Sequence, residues 1–460
     1  MKHISADTSS HIISQTTNKH NNKAQFKRSA LMVAVVLSLG VAVSACQDPN
    51  TSAQRASAGT TSSMGSSTIK STETPKKSVG VAVIEQAQLA IEISKKYIVT
   101  DGHIDVPYRL ESEFENVAEH TAHGDFDFPR AVAGGLDAPF MSIYIPASLE
   151  KTGGSKALAD KLITMVEDIV NEAPDKFSLA YSTAEVEDNF TKGIISLPMG
   201  MENGSPIEGD LANLKHFYDR GIRYITLTHS KANHIADSSY DEARPAGGLT
   251  DFGKTLVAEM NNVGVMVDVS HISDDAFNDV MAISKVPVIA SHSSARHFTP
   301  GFERNMSDEM IKTLAKNGGV IQINFGSSFI TQKALEYGKL RKTAIKAFSA
   351  EHNIEEKSDE VEAFKVAYRV KYPYPFASLS DVLDHYDHVI KLVGIDYVGI
   401  GSDYDGVGDS LPNNLKDVSS YPNLIEGLLQ RGYSEQDIAK ILSGNVMRVW
   451  KAVEVYAEQY

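Results

Sequence analysis

Residues 97–105 read Tyr-Ile-Val-Thr-Asp-Gly-His-Ile-Asp, a short apolar run that closes on His103 and Asp105. A strand places residues two apart on the same face, so these two side chains can reach one point while Ile104 turns away. A helical pattern at about 83–97 precedes the run, with Ile84, Ala87, Leu89, Ala90, Ile91 and Ile93 on a broad apolar face. Seven further runs follow, at 140–145, 193–201, 222–229, 263–271, 286–292, 319–324 and 397–403, and helical segments separate them. Ser273 before Asp274-Asp275 and Ser307 before Asp308-Glu309 have the hydroxyl and first-turn acids of helix starts. Alternating strands and helices predict a parallel sheet, and eight strands predict a closed (β/α)8 TIM-type barrel. The interval 326–396 is too long for a simple connection and carries charged helical segments at 333–348 and 357–368. It predicts a helical insertion between strands 7 and 8, beside or over the barrel mouth.

The positions of the ionisable residues are more informative than their number. His103 and Asp105 close strand one, Glu202 follows strand three, and His229 ends strand four. His271 ends strand five, His292 strand six and Asp403 strand eight. Barrel enzymes place their catalytic groups at the C-terminal ends of strands. A lone His-x-Asp is a weak motif, and a strand-end histidine often bonds a backbone carbonyl. Glu202 could equally cap the next helix. The coincidence of all of them at one end of the barrel favours a metal site. His103 and Asp105 can approach one ion, His271 and His292 on neighbouring strands a second, and Glu202 is the carboxylate available between them. Imidazole suits zinc and related metals.

The 460-residue composition, 42% hydrophobic and 22% charged, is that of an ordinary globular chain. The 59 acidic residues outnumber the 44 basic ones, for a net charge of -15, and no basic block tracks a phosphate backbone. Nucleic acid is excluded as a partner class. Residues 31–45 are apolar and uncharged, follow Lys27-Arg28, and end in small residues. This is signal-peptide anatomy, too short for a helix of roughly 20 residues that spans a bilayer. The polar stretch before Lys27 is long for a signal and points to a start codon further downstream. Val43-Ser44-Ala45-Cys46 resembles a bacterial lipobox, with Cys46 as the acylated residue of the mature chain. Cys46 is the only cysteine, so no intramolecular disulfide forms. Residues 46–78 are rich in Ser, Thr, Ala, Gly and Lys and read as a flexible tether, which leaves 79–460 as the folded domain. The expected location is the bacterial cell envelope, facing the periplasm. Gln47 after the cysteine leans toward the outer membrane, although Asp48 follows.

Six segments together resemble the membrane (renal-type) dipeptidases, zinc metallopeptidases of the amidohydrolase barrel group. They are Asp101-Gly102-His103-Ile104-Asp105-Val106-Pro107, Ile225-Thr226-Leu227-Thr228-His229, Gly248-Leu249-Thr250-Asp251-Phe252-Gly253, Ser291-His292-Ser293-Ser294, Arg304-Asn305-Met306 and Gly401-Ser402-Asp403-Tyr404-Asp405-Gly406. The resemblance implies hydrolysis of the peptide bond of dipeptides with two Zn2+ ions. His103 and Asp105 would hold one, His271 and His292 the other, and Glu202 would bridge them, with a hydroxide shared by the metals as nucleophile. It also implies that His229 contacts substrate and stabilises oxyanion charge, and that Arg304 recognises the substrate carboxylate. Asp403 would move a proton from the water to the leaving amine. Asp405, two residues on, is its neighbour in the motif. A surface ion pair of Arg304 with Glu303 or Asp308 is the plainer alternative for that residue. Family members often dimerise, so a homodimer is an expectation by resemblance.

Two other functions fit parts of the pattern. Another binuclear amidohydrolase, acting on a different amide or lactam, shares the barrel. Many of these open with His-x-His and bridge their metals with a lysine on strand four. This chain has Asp105 at the second position and no lysine in 222–229. A catalytically inactive lipoprotein that binds peptide or metal would not need His229 and Asp403.

Overall fold

Eight short strands form one parallel sheet in the computed structural model, which describes residues 79–460. We number them β1 (Thr100–Ile104), β2 (Ala138–Tyr144), β3 (Met199–Glu202), β4 (Ile222–Thr226), β5 (Met266–Asp268), β6 (Ile289–Ala290), β7 (Val320–Ile323) and β8 (Val398–Ile400). Each pairs in parallel with the next. The ring closes where Ile104, the last residue of β1, bridges Tyr404 just beyond β8 and the Asp105 amide donates to the Tyr404 carbonyl at 2.9 Å. The buried Asp101 carboxylate seals this seam, accepting from the amides of His103 and Ser402 and from Tyr421 Oη at 2.6 Å. With helices on the outside, the architecture is the expected (β/α)8 barrel. The expected signal peptide, the expected tether and Cys46 lie outside the described residues, and no described helix is long and apolar enough to cross a membrane.

Alternate strand residues face opposite ways, and the core divides accordingly. Ala138, Phe140, Tyr224, Met266, Ile289 and Val320 pack with Trp450 and Val453 of the C-terminal helix Asn445–Ala457. The intervening residues, among them Met141, Ile143, Ile225, Val267, Ala290 and Ile321, join the larger apolar cluster beneath the surrounding helices. Full burial of a Leu, Ile or Phe contributes about 1.5–3 kcal/mol, so these two layers dominate the stability of the domain.

The predicted helix starts at Ser273 and Ser307 are present, each hydroxyl accepting from the third amide onward. The strands are shorter than the apolar runs, and one run divides. Residues 193–201 comprise three structures. Gly193 ends the helix Thr183–Lys192 in the left-handed region, Ile195–Leu197 pairs with Phe177–Leu179 in a separate two-stranded sheet, and Pro198 separates that pair from β3. Proline has no N–H to continue a ladder, which accounts for the break. Glu202 consequently lies within β3, as its last residue, rather than after it.

The insertion contains the helices Gln332–His352 and Asp359–Lys371. Lys342 of the first, with Ser328 and Phe329 just before it, lines the cleft at the barrel mouth. The insertion therefore covers part of the opening.

Candidate metal centre and active site

His103 belongs to β1 and Glu202 to β3, whereas Asp105, His229, His271, His292 and Asp403 sit in the turns that leave β1, β4, β5, β6 and β8. The structure brings all seven together at the C-terminal mouth. His271 and Asp403 have φ of 70° and 63°, in the left-handed region that β-carbon sterics disfavour. Non-glycine residues held there cluster at functional sites, where the surroundings over-determine the conformation.

Glu202 is the common neighbour. Its Oε1 lies 3.0 Å from His271 Nε2, 3.3 Å from His292 Nε2 and 3.7 Å from His229 Nε2, and its Oε2 lies 3.6 Å from His103 Nε2. His103 Nε2 is also 3.4 Å from Asp105 Oδ2. Asp105 and Asp403 complete a third cluster with His103. Glu202, His229 and His271 also form a ligand-type group, so His229 stands among the candidate ligands.

The outer hydrogen bonds fix which nitrogen faces inward. Tyr224 Oη donates to the Gly102 carbonyl at 3.0 Å and so accepts from His103 Nδ1 at 2.8 Å. Ser291 Oγ donates to Asp268 Oδ2 at 2.6 Å and accepts from His292 Nδ1 at 2.7 Å. In both rings Nδ1 carries a proton and donates outward, which leaves Nε2 as the nitrogen that faces carboxylate oxygen. His103 Nε2 and Asp105 Oδ1 are buried without a hydrogen-bond partner. Acceptors facing acceptors out of water are unfavourable, and cations between them remove the conflict. The donor set of imidazoles and carboxylates therefore fits divalent metals of the zinc class.

Electrostatics agree. Burial opposes the charge on Glu202, but the imidazoles of His229 and His103 hold its carboxyl well below the usual range. Burial, with Arg304 nearby, keeps His271 well below the usual imidazole range, and burial with His103 lowers His292 to about 3. Burial also lowers His229, against the pull of Glu202. These are the protonation states metal ligands need: anionic carboxylate and neutral imidazole. Burial resists protonation of His103, yet Tyr224, Asp105 and Glu202 raise its proton affinity well above normal, so its pocket favours positive charge.

The two members of the Asp403/Asp405 pair have different surroundings. Asp405 accepts from Arg109 Nε at 3.1 Å and from the Asp125 amide at 2.6 Å, and burial raises its carboxyl against the pull of Arg109. Asp403 accepts from Asn324 Nδ2 at 2.7 Å, and burial followed by Asp105 raises its carboxyl well above the usual range. Arg304 is buried and makes neither alternative ion pair, because Glu303 pairs with Arg244 and Asp308 with His388. It donates to Ser293 Oγ at 2.7 Å and the His292 carbonyl at 2.8 Å, and its Nε has no partner. The cleft onto which Asp105, Glu202, His229, His271 and Asp403 open has a volume of about 810 Å3, with Tyr108, Tyr144, Tyr240 and Phe329 among its walls. That is the size of a small-molecule site rather than of a groove for a long polymer.

A family model described as membrane dipeptidase (peptidase family M19) matches residues 87–460. The chain belongs to the membrane dipeptidase family. It is therefore a hydrolase of metal-dependent dipeptidase type. Within the family it is similar to dipeptidase aclJ of Aspergillus oryzae, at 33% identity over 370 residues that cover 77% of this chain and 78% of the relative. Among solved structures it is similar to the probable dipeptidase PvdM of Pseudomonas aeruginosa, with a TM-score of 0.70 and 26% identity over 81% of this chain and 100% of that one. It is also similar to dipeptidase AC, an M19 metallopeptidase, with a TM-score of 0.64 and 25% identity over 78% and 98% of the two chains.

Several supporting residues of this dipeptidase-family site were not singled out from sequence. Tyr224, Asp268, Ser291 and Asn324 are polar side chains of strands or their ends, and each bonds a metal-centre candidate or its neighbour. The available signal was a polar residue inside an otherwise apolar strand run, such as Asp268 three residues before His271. Gly200 gives the Tyr224 ring its room, because a β-carbon there would lie 1.9 Å from the ring.

Proposed function

We propose that this dipeptidase works with two zinc ions, one beside His103 and Asp105, the other beside His271 and His292, with Glu202 shared. The observation that carries this reading is the convergence of three Nε2 atoms on the Glu202 carboxylate, two of them turned inward by Tyr224 and Ser291. Ions bound there supply hydroxide at neutral pH and a Lewis acid for the scissile carbonyl.

The chain's own residues do the rest. Arg304, with Nε unpaired in a buried setting, receives the dipeptide carboxylate and sets its register. His229, kept neutral by burial, donates a hydrogen bond to the oxygen on which charge develops. Asp403, a carboxylate whose proton affinity is raised by burial and by Asp105, takes a proton from the attacking water and delivers it to the leaving amine. The C–N bond breaks, and the products are two amino acids. Asn324 holds the Asp403 carboxylate in place.

The proposal extends to export and lipid attachment through Cys46, with the barrel held on the periplasmic side of the envelope. Hydrolysis of a simple dipeptide by the purified protein tests the catalytic part. We expect loss on chelation, recovery with Zn2+, and loss in His271→Ala and Asp403→Asn. Two bound zincs without turnover would instead mark a binding protein.

A further inference from the structure

A second group of ligand-type side chains is built from residues the barrel centre does not use. His297 belongs to the turn Arg296–Phe298, Asp308 opens the helix Asp308–Asn317, and His388 lies in the helix Leu379–Val393. His388 Nε2 is 2.8 Å from Asp308 Oδ1. The His297 ring stacks on His388, with centroids 4.3 Å apart and planes at 20°. One ligand atom from each of the three residues lies within 4.8 Å of the others.

The cations around this group are already engaged. Arg296 makes a two-pronged bond to Asp274 at 2.6 and 2.7 Å, Lys312 pairs with Glu309 at 2.7 Å, and Arg431 pairs with Asp384 and Asp387. Asp308 faces the two imidazoles instead. The side chains of His388 and Asp308 are 17% and 39% exposed, and His297 is exposed, so solvent water can complete a coordination shell.

We propose that His297, Asp308 and His388 form an additional site for a zinc-class divalent cation. Two imidazoles and one carboxylate favour zinc, copper or nickel over calcium or magnesium, which prefer all-oxygen shells. On binding, the ion replaces the proton shared between His388 and Asp308, and three protein ligands leave a fourth position for water. The segment between His297 and Asp308 carries Arg304. Occupancy therefore ties both ends of the arginine-bearing segment to the helix Leu379–Val393.

Equilibrium dialysis of the whole protein against Zn2+, with metal counted by mass spectrometry, tests the site. The expected result is one equivalent more in the wild type than in His297→Ala, with the same deficit in His388→Ala. Both variants keep the barrel centre, so the difference does not depend on how many ions that centre holds or whether it turns over. His297 is exposed, and its removal leaves the core untouched. Equal zinc counts in the wild type and His297→Ala would overturn the proposal.

Discussion

The Nε2 atoms of His271 and His292 lie 2.9 Å apart, and both lie within 3.3 Å of Glu202 Oε1. Glu202 is thus the point on which the site depends. Glu202→Gln keeps the shape and removes the charge that two cations would share. Turnover should fall by more than about a hundredfold, with metal content reduced in parallel. Metal analysis alongside a dipeptide assay checks both, and a fully loaded, active variant would remove Glu202 from the centre.

Ser291 links His292 to Asp268. Outer partners of metal-binding histidines are worth about 10–100-fold in metal affinity or activity. Ser291→Ala should weaken zinc binding at the lower end of that range while the fold persists. A chelator-competition titration reads this directly, and unchanged affinity would show that the hydroxyl does not orient the ring.

Gly406 borders both acids of the mouth. A β-carbon there would lie 2.2 Å from Asp105 Oδ2 and 2.3 Å from Asp403 Oδ1. Gly406→Ala must displace at least one of them, and misplacement by about 1 Å costs on the order of a hundredfold in rate. We expect kcat to fall by that order with little change in thermal stability. A variant with wild-type kcat would mean that the two carboxylates can move freely.

Asp137, just before β2, accepts from the Val99 amide at 2.9 Å, yet burial raises its pKa to about 7. In the unfolded chain the group titrates near the ordinary aspartate value of about 4. Between those values the native protein holds a proton that the unfolded chain has lost, so this group's contribution to stability declines as pH rises from about 4 to about 7 and is level above. Asp137→Asn should remove that decline. Urea unfolding of both proteins across this range measures it, and parallel curves would contradict the assignment.

The barrel was legible because its strands are short apolar runs separated by helices with recognisable starts, as at Ser273 and Ser307. His103 and Asp105 were legible because strand alternation puts them on one face. Strand ends were less so, since His229, His271 and His292 belong to the turns beyond the last paired residue. The run 193–201 looked continuous because hydrophobicity does not reveal that Pro198 divides it between two sheets. Tyr224 and Asp268 escaped notice because their roles arise from contacts across the barrel, from Tyr224 to His103 and through Ser291 to His292. Residue type signals the positive φ of His271 and Asp403 only weakly, since His and Asp enter that region more readily than other side chains but seldom do so.

Anomalous diffraction at the zinc edge, from crystals of the protein grown with Zn2+, tests the central claim most directly. The account predicts two peaks at the barrel mouth, one beside His103 and Asp105 and one beside His271 and His292, both within bonding distance of Glu202. A single peak there, or two that do not share Glu202, would contradict it.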